Sequence, residues 1–387
     1  MPTITDAVRG SAGTAGILAA KRVVNMADKI LLLEPSATPL TVFTAKLNKK
    51  ETFNSDYKDL QDELLPFVTR VNNGGGYTAG ALTIVVDDEQ VGKVGDIVAF
   101  PRTNEVVRIS SISATDSSWT VAARSWGSTA AAALLDNDQV AVIGGSNAEN
   151  ATTPTAKVTK AASATNYTQI FRNSFGVSRT LMNSRLYGGD ELAYQARKVG
   201  IEHRREIELA FWFGEAVAST SAAYAIRTTG GVEEHISTNA TNVGGSLTEL
   251  DLENYLRSAM RYGDQRKLHF CSREQRSAID LLASGKVEMT SEEKTFGIQV
   301  DQIRGGGGMV GLVTVNLFSD ADTYKENGYT LDMSQLTYQF LTASDTMLIT
   351  NVQANNVDGR QDEYLSEVGL MRGHERTMSR LSGVTLT

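Results

Sequence analysis

The sequence predicts an α+β fold built around one long helix. Three observations carry this prediction. Residues 186–214, LYGGDELAYQARKVGIEHRREIELAFWFG, repeat their apolar residues with helical periodicity over several turns. Most of the remaining chain shows short β-branched and aromatic runs between turn signals, with 34 glycines against 6 prolines. Residues 248–341 then alternate helix and strand patterns, as expected for helices set against a central sheet.

The long helix is expected over residues 190–213. Asp190 is placed to cap it, and Glu191 lies in the first turn, where free backbone N–H groups favour negative charge. Gly214 stands at the usual C′ position. Leu192, Ala196, Val199, His203, Ile207 and Ala210 step by three and four and share one face. Arg197, Lys198, Arg204, Arg205 and Glu208 fall mostly elsewhere, with Lys198/Glu202 and Arg204/Glu208 as i,i+4 pairs. The rod is roughly 36 Å long at about 1.5 Å per residue. Its end, Phe211-Trp212-Phe213, is apolar all round and must be buried. Ile207 and Phe211 are expected between the helix and a sheet. This helix reads as a spine on which sheets hang.

The other elements follow in order. Residues 1 to about 34 mix glycines and scattered apolar residues and do not read as a core. Such a segment docks elsewhere or stays disordered. Thr38-Pro39 starts a short helix, Thr38 at N-cap and Pro39 at N1, with Leu40, Phe43 and Leu47 as its apolar stripe. Residues 53–67 are polar with spaced aromatics. Between Val68 and Gly145 five strands are expected: 82–86, 96–100, 105–110, 119–122 and 139–143. They suggest a small barrel or sandwich whose core includes Leu82, Ile84, Val98, Phe100, Val107, Ile109, Trp119, Val121, Val140 and Val142. Residues 146–165 are an Ala/Thr/Asn linker, and 166–180 a long strand with Phe171, Phe175 and Val177 on one side. The barrel thus reads as an insertion at the tip of a hairpin. Beyond the spine, helices are expected at 248–262 and from a Ser272–Gln275 capping box to Gly285. Strands are expected at 267–271, 296–300, 309–318, 335–341, 346–352 and 363–371.

Composition narrows the function. The chain of 387 residues can hold two or three domains. Its net charge of −8 argues against a dedicated nucleic-acid binder, but not against enclosing nucleic acid. Cys271 is the only cysteine, so an intrachain disulfide and a thiol-rich metal site are excluded. No apolar run approaches the ~20 residues of a membrane span. None of His203, His235, His269 and His374 sits in a ligand or metalloprotease spacing, and His203 reads as a packed, hydrogen-bonded histidine. The run Gly305–Gly308 lacks the Lys-Ser/Thr of a phosphate loop and reads as a mobile loop. Asp320-Ala321-Asp322 and Asp87-Asp88-Glu89 read as solvated turns. No nucleophile elbow or Ser/His/Asp spacing occurs. The sequence therefore assigns no catalytic, cofactor-binding or metal residue and no cofactor.

Four blocks carry a resemblance: 27–47 (ADKILLLEPSATPLTVFTAKL), 166–180 (NYTQIFRNSFGVSRT), 187–214 and 261–279 (RYGDQRKLHFCSREQRSAI). In these residues the chain resembles major capsid proteins of tailed bacteriophages, with the Hong Kong 97-like fold. Residues 123–131, ARSWGSTAA, resemble an inserted domain found in one subgroup. The resemblance implies an N-terminal arm at 1–50 and an extended loop at 51–182 carrying a β-domain at 68–149. It implies a peripheral domain at 183–246 plus 343–373 and an axial domain at 247–342 plus 374–387. It implies a structural protein, not an enzyme. Copies of the chain would form hexamers and pentamers that tile an icosahedral shell around double-stranded DNA, held without sequence-specific binding. Scaffolding, portal and decoration proteins would be partners, no membrane would be involved, and the place would be the virion after assembly in the host cytoplasm. Some relatives join subunits by a lysine–asparagine isopeptide bond; Lys49, Lys50 and Lys58 lie near the loop, and no motif singles one out. The short arm points to a separate scaffolding protein.

Two other classes are compatible with these residues. The same fold builds encapsulin compartments, which enclose enzymes instead of DNA. A binding module or hydrolase built on the β-domain is the other.

Overall fold

The computed structural model describes residues 38–153, 156, 158–184, 189–219, 224–283, 290–291, 301–305 and 307–385. The arm before residue 38 and the expected strand 296–300 lie outside these residues. The chain divides into two units, one of residues 60–163 and one of the residues flanking them.

In the first unit, six strands form one sheet in the order 68–70, 139–145, 96–100, 105–113, 118–121, 83–85. The sheet closes on itself: Val71 bridges Val86, and Asn72 N–H donates to Val85 O and Asp87 N–H to Arg70 O, both at 3.0 Å. It is a barrel, which leaves no free edge between its first and last strands. Strand 68–70 is not expected from the sequence, because three residues are too few to show alternation. Ile84, Val86, Val98, Phe100, Val107, Ile109, Trp119, Val121, Leu134 and Val140 fill the interior, as alternate residues of each strand should. Leu82 is a correction: it precedes its strand and is 47% exposed. The barrel's ladders are internal to it and its core is its own. Residues 66–148 expressed alone should therefore fold and give a dispersed proton–nitrogen amide spectrum. A collapsed spectrum would mean that the strands need the rest of the chain.

In the second unit the spine helix spans Glu191–Phe213, with the Asp190 side chain accepting from Leu192 N at 3.1 Å. Gly214 ends it differently from expectation. Its backbone is extended (φ −67°, ψ 153°), so no left-handed residue is needed there. Glycine is required because a Cβ would meet Thr229 O at 2.3 Å and Ala210 O at 2.5 Å. The helix lies on a five-stranded sheet in which strands 49–52, 336–341, 359–372 and 169–178 are neighbours in that order and 347–349 also pairs with 359–372. Phe171, Phe175 and Val177 are buried, as their alternation predicts.

A seven-stranded sheet has the order 240–245, 379–384, 328–331, 266–271, 308–314, 301–305, 290–291. Helix Glu249–Ala259, capped by a reciprocal Thr248/Asp251 box, and helix Arg273–Ala283 accompany it. Strand 240–245 thus pairs with 379–384, and strand 336–341 with 49–52 and 359–372, each across the domain bounds expected from the sequence. Residues 309–318 are not one strand: the ladder ends at Thr314 and Asn316–Ser319 is a helical turn. Leu250 is exposed while Leu252, Tyr255 and Leu256 are buried, so this helix presents a single apolar face.

One core joins the spine to both sheets. Ile207, Phe211 and Trp212 lie in it with Phe270, Phe318 and Tyr329 from the seven-stranded side and Tyr338, Val368 and Leu370 from the other. Trp212 is the hub, with ring centroids 5.2 Å from Phe270, 5.0 Å from Phe318 and 5.2 Å from Tyr329. The spine therefore buries its C-terminal end most deeply, as the Phe-Trp-Phe run requires.

Candidate functional site

The residues singled out for chemistry do not converge. His203 contacts Asn173 Oδ1 at 2.5 Å and Ser366 Oγ at 2.7 Å, and burial lowers its pKa, so it is the packed histidine that its helical face suggests. His235 contacts Gly373 O at 2.8 Å. His374 caps a short turn by accepting from Arg376 N at 3.3 Å. His269 contacts Thr330 Oγ1 at 2.8 Å, and burial pushes its pKa down to about 4. Cys271 is buried, which pushes its thiol up to about 12 and away from reactivity. Asp322 pairs with Lys325 at 2.7 Å, and Asp88 accepts from Gln90 N at 2.8 Å; both acidic runs are turns. Of the glycine run, Gly305 pairs with Gly308 where strands 301–305 and 308–314 meet, and Gly307 has φ +86°; Gly306, and with it the mobile-loop expectation, lies outside the described residues. Among the described residues no group of three His, Cys, Asp or Glu could hold a metal ion, and no helix is long and apolar enough to cross a membrane.

What the spine does instead is tie the chain's first described helix into the core. Helix Pro39–Leu47 has Pro39 at its first position, but Thr38 makes no capping hydrogen bond. The cap comes from Glu208, 168 residues along the chain from Leu40. Its carboxylate accepts from Leu40 N at 2.9 Å, Thr41 N at 2.7 Å, Thr41 Oγ1 at 2.5 Å and Trp212 Nε1 at 2.9 Å. Free N–H groups at a helix start make a natural carboxylate site. Glu208 is fully buried, which corrects its expected place on the charged flank opposite Arg204. Burial raises its pKa, and the Thr41, Trp212 and Leu40 donors pull it back. The sequence does carry a signal: Glu208 sits between Ile207 and Phe211, one turn before Trp212, where the helix is otherwise apolar all round.

The remaining feature is apolar surface that stands exposed among the described residues. Phe53 is 83% exposed, Leu60 72%, Leu64 94% and Phe67 69%, all in the polar segment with spaced aromatics that follows the first helix. Val158 is 81% exposed and Ile143 65%. Single exposed apolar residues are ordinary, but several on one stretch of chain, here Leu60, Leu64 and Phe67 after Phe53, stand out.

A family model described as SU10 major capsid protein matches residues 5–385. A 114-residue segment is 30% identical to a major capsid protein of Pseudomonas phage PaMx41; it covers 29% of this chain and 27% of that protein, so the match spans about a quarter of that relative. Among solved structures, the capsid of an empty GTA particle computed with C5 symmetry is similar with a TM-score of 0.50 at 10% identity, over 98% of this chain and 100% of that one. The holo-SrpI encapsulin complex from Synechococcus elongatus PCC 7942 has a TM-score of 0.46 at 11% identity, over 59% of this chain and 79% of that one.

Proposed function

The chain belongs to the SU10 major capsid protein family, and from that premise we propose that it assembles as hexamers and pentamers into an icosahedral head around double-stranded DNA. It is a phage major capsid protein with the Hong Kong 97-like fold, a structural component of the virion. The observation that carries the assembly reading is the uncovered apolar run at Phe53, Leu60, Leu64 and Phe67. Burying four such side chains on neighbouring copies contributes about 1.5–3 kcal/mol each before the costs of association. Repetition around a closed symmetric shell multiplies that gain. A net charge of −8 lets the shell enclose DNA without adhering to it. In this reading residues 1–50 are an arm whose helix 39–47 is tied to its own spine by Glu208, and 51–182 a loop that reaches to neighbours and returns to the subunit sheet through strand 169–178. The peripheral (183–246, 343–373) and axial (247–342, 374–387) parts tile the shell. Scaffolding, portal and decoration proteins complete the head, which forms in the host cytoplasm.

The direct test is a negative-stain micrograph of purified particles, with a nuclease-protection assay of their contents. Shells holding nuclease-resistant DNA are expected; shells loaded with an enzyme would identify a compartment instead. Leu64→Asp sharpens the test. At 94% exposure Leu64 contributes little to the subunit fold, so the variant should be soluble with an unchanged melting temperature and should assemble poorly. Normal shells from that variant would remove Leu64 from the interface.

A further inference from the structure

The end of the seven-stranded sheet carries a basic groove that the capsid reading does not use. Met309 is paired on one side with Arg266 and on the other with Arg304, so the three form one row across the strands. The next row, Lys267, Val310 and Ile303, is buried at 2%, 1% and 3% exposure on the face that carries the helix 249–259. Side chains alternate along a strand, so Arg266, Met309 and Arg304 point to the opposite face. There both arginines are exposed and Met309 is half-buried. Two strand spacings set the arginine Cα atoms roughly 10 Å apart, within the reach of two guanidiniums converging on one anion above Met309. Among the described residues neither guanidinium has an ion pair. They line a groove of roughly 560 Å³ together with Gln265. Below it the buried Lys267 ammonium donates to Ala259 O and Tyr262 O at 2.6 Å and to Thr377 O at 2.5 Å, which fixes the preceding turn. The nearby acids are Asp264, which accepts the backbone N–H of Arg266 at 3.1 Å, Asp301, which pairs with Arg276 at 2.7 Å, and Glu249 and Glu253, which line a neighbouring groove together with Arg304.

We propose that Arg266 and Arg304 form a binding site for a phosphate-bearing anion. Planar guanidiniums on a rigid sheet present paired donors that match phosphate oxygens, and the thioether of Met309 between them offers no competing charge. The phosphate comes either from a nucleic-acid backbone or from a free polyphosphate. The site is a property of one subunit and does not depend on shell formation.

The test uses the full chain as unassembled subunits, with a short fluorescent DNA duplex and pyrophosphate as probes. Arg266→Gln, Arg304→Gln and the double variant are compared with Arg257→Gln, which removes the same charge from an exposed helical site. The double variant should bind about tenfold more weakly at low salt, and its salt dependence for the duplex should fall by about two units of slope, near 0.9 for each phosphate that is no longer neutralised. Arg257→Gln should behave as wild type. Duplex binding that pyrophosphate displaces assigns the site to the DNA backbone; pyrophosphate binding without duplex binding assigns it to free polyphosphate. A weakening per charge removed that is equal in the double variant and in Arg257→Gln would overturn the site in favour of general charge. Undiminished binding of both probes by the double variant, or binding of neither probe by wild type, would overturn it outright. Shells seen by microscopy for the double variant keep this outcome separate from that of the capsid reading.

Discussion

Glu208→Ala should unfold the spine end of the protein, or leave it insoluble. The substitution removes the acceptor of three N–H groups: Leu40 N, Thr41 N and Trp212 Nε1. A buried donor left unsatisfied costs about 1–3 kcal/mol, so three together cost on the order of 3–9 kcal/mol, a large part of a typical folding free energy. Helix 39–47 would lose its cap and the Trp212 indole its hydrogen bond together. Glu208→Gln is the gentler arm. It keeps one acceptor and turns the other oxygen into a donor facing an N–H group, a loss of about 1–3 kcal/mol. The pH dependence has a definite sign. Burial raises the folded-state pKa of Glu208 above its ordinary value. Its titration therefore contributes stability that is full below the unfolded pKa and lost as pH rises through the raised value. The advantage of wild type over Glu208→Gln should shrink over that rise. Denaturant midpoints followed by tryptophan fluorescence measure both effects. An alanine variant with an unchanged midpoint would show that the first helix is held by its apolar contacts alone.

The same carboxylate shows where sequence reading stops. The spine, its Asp190 cap and its buried Phe211-Trp212 end, with Phe213 partly buried beside it, are legible because they depend on neighbours three or four residues away. The His203 reading succeeds for the same reason, since the apolar face on which it stands is local. Glu208 is misplaced by its sequence because its partners lie at Leu40 and Thr41, and no local pattern records them. Strand 328–331 is invisible in the sequence because GYTL is short and buried at every position, with no alternation to betray it. The run through Val315 to Phe318 reads as strand because periodicity alone does not separate a short apolar strand from a helical turn. The segment 53–67 is readable as lacking a core, but only the folded chain shows how fully Phe53 and Leu64 are left bare.

Arg124→Met should unfold the barrel. The Arg124 and Glu105 side chains are 5% and 0% exposed, and they pair through two hydrogen bonds at 2.6 and 2.7 Å. Arg124 also donates to Ala132 O at 2.6 Å and to Thr78 O at 3.1 Å, while Glu105 accepts from Ser125 N and Ala132 N, both at 3.1 Å. The pair pins the loop of residues 123–133 to the barrel, including Ser125 at φ 62°. Removing one member leaves the other charge buried, which costs about 3–5 kcal/mol. A domain of about 80 residues has roughly 4–12 kcal/mol in all, so the isolated fragment should be largely unfolded or close to it. Glu105→Met should do the same. The double variant should recover part of the loss, because no charge is then stranded, and what goes unmet is the Ser125 and Ala132 N–H groups and the carbonyls that Arg124 served. Acid should reproduce the single variant. Burial alone would raise the Glu105 pKa, but Arg124 and the Ala132 and Ser125 N–H groups outweigh it and hold the carboxyl below its ordinary 4.5. A depressed pKa means stability that is full above the unfolded value and lost as pH falls through the folded one. The melting temperature of fragment 66–148 should therefore fall below about pH 4.5 in wild type, with a smaller contribution from this carboxyl once Arg124 is gone. If Arg124→Met melts with the wild-type fragment at neutral pH, the pair is replaceable by the loop's own backbone bonds and the barrel is held by its apolar interior alone.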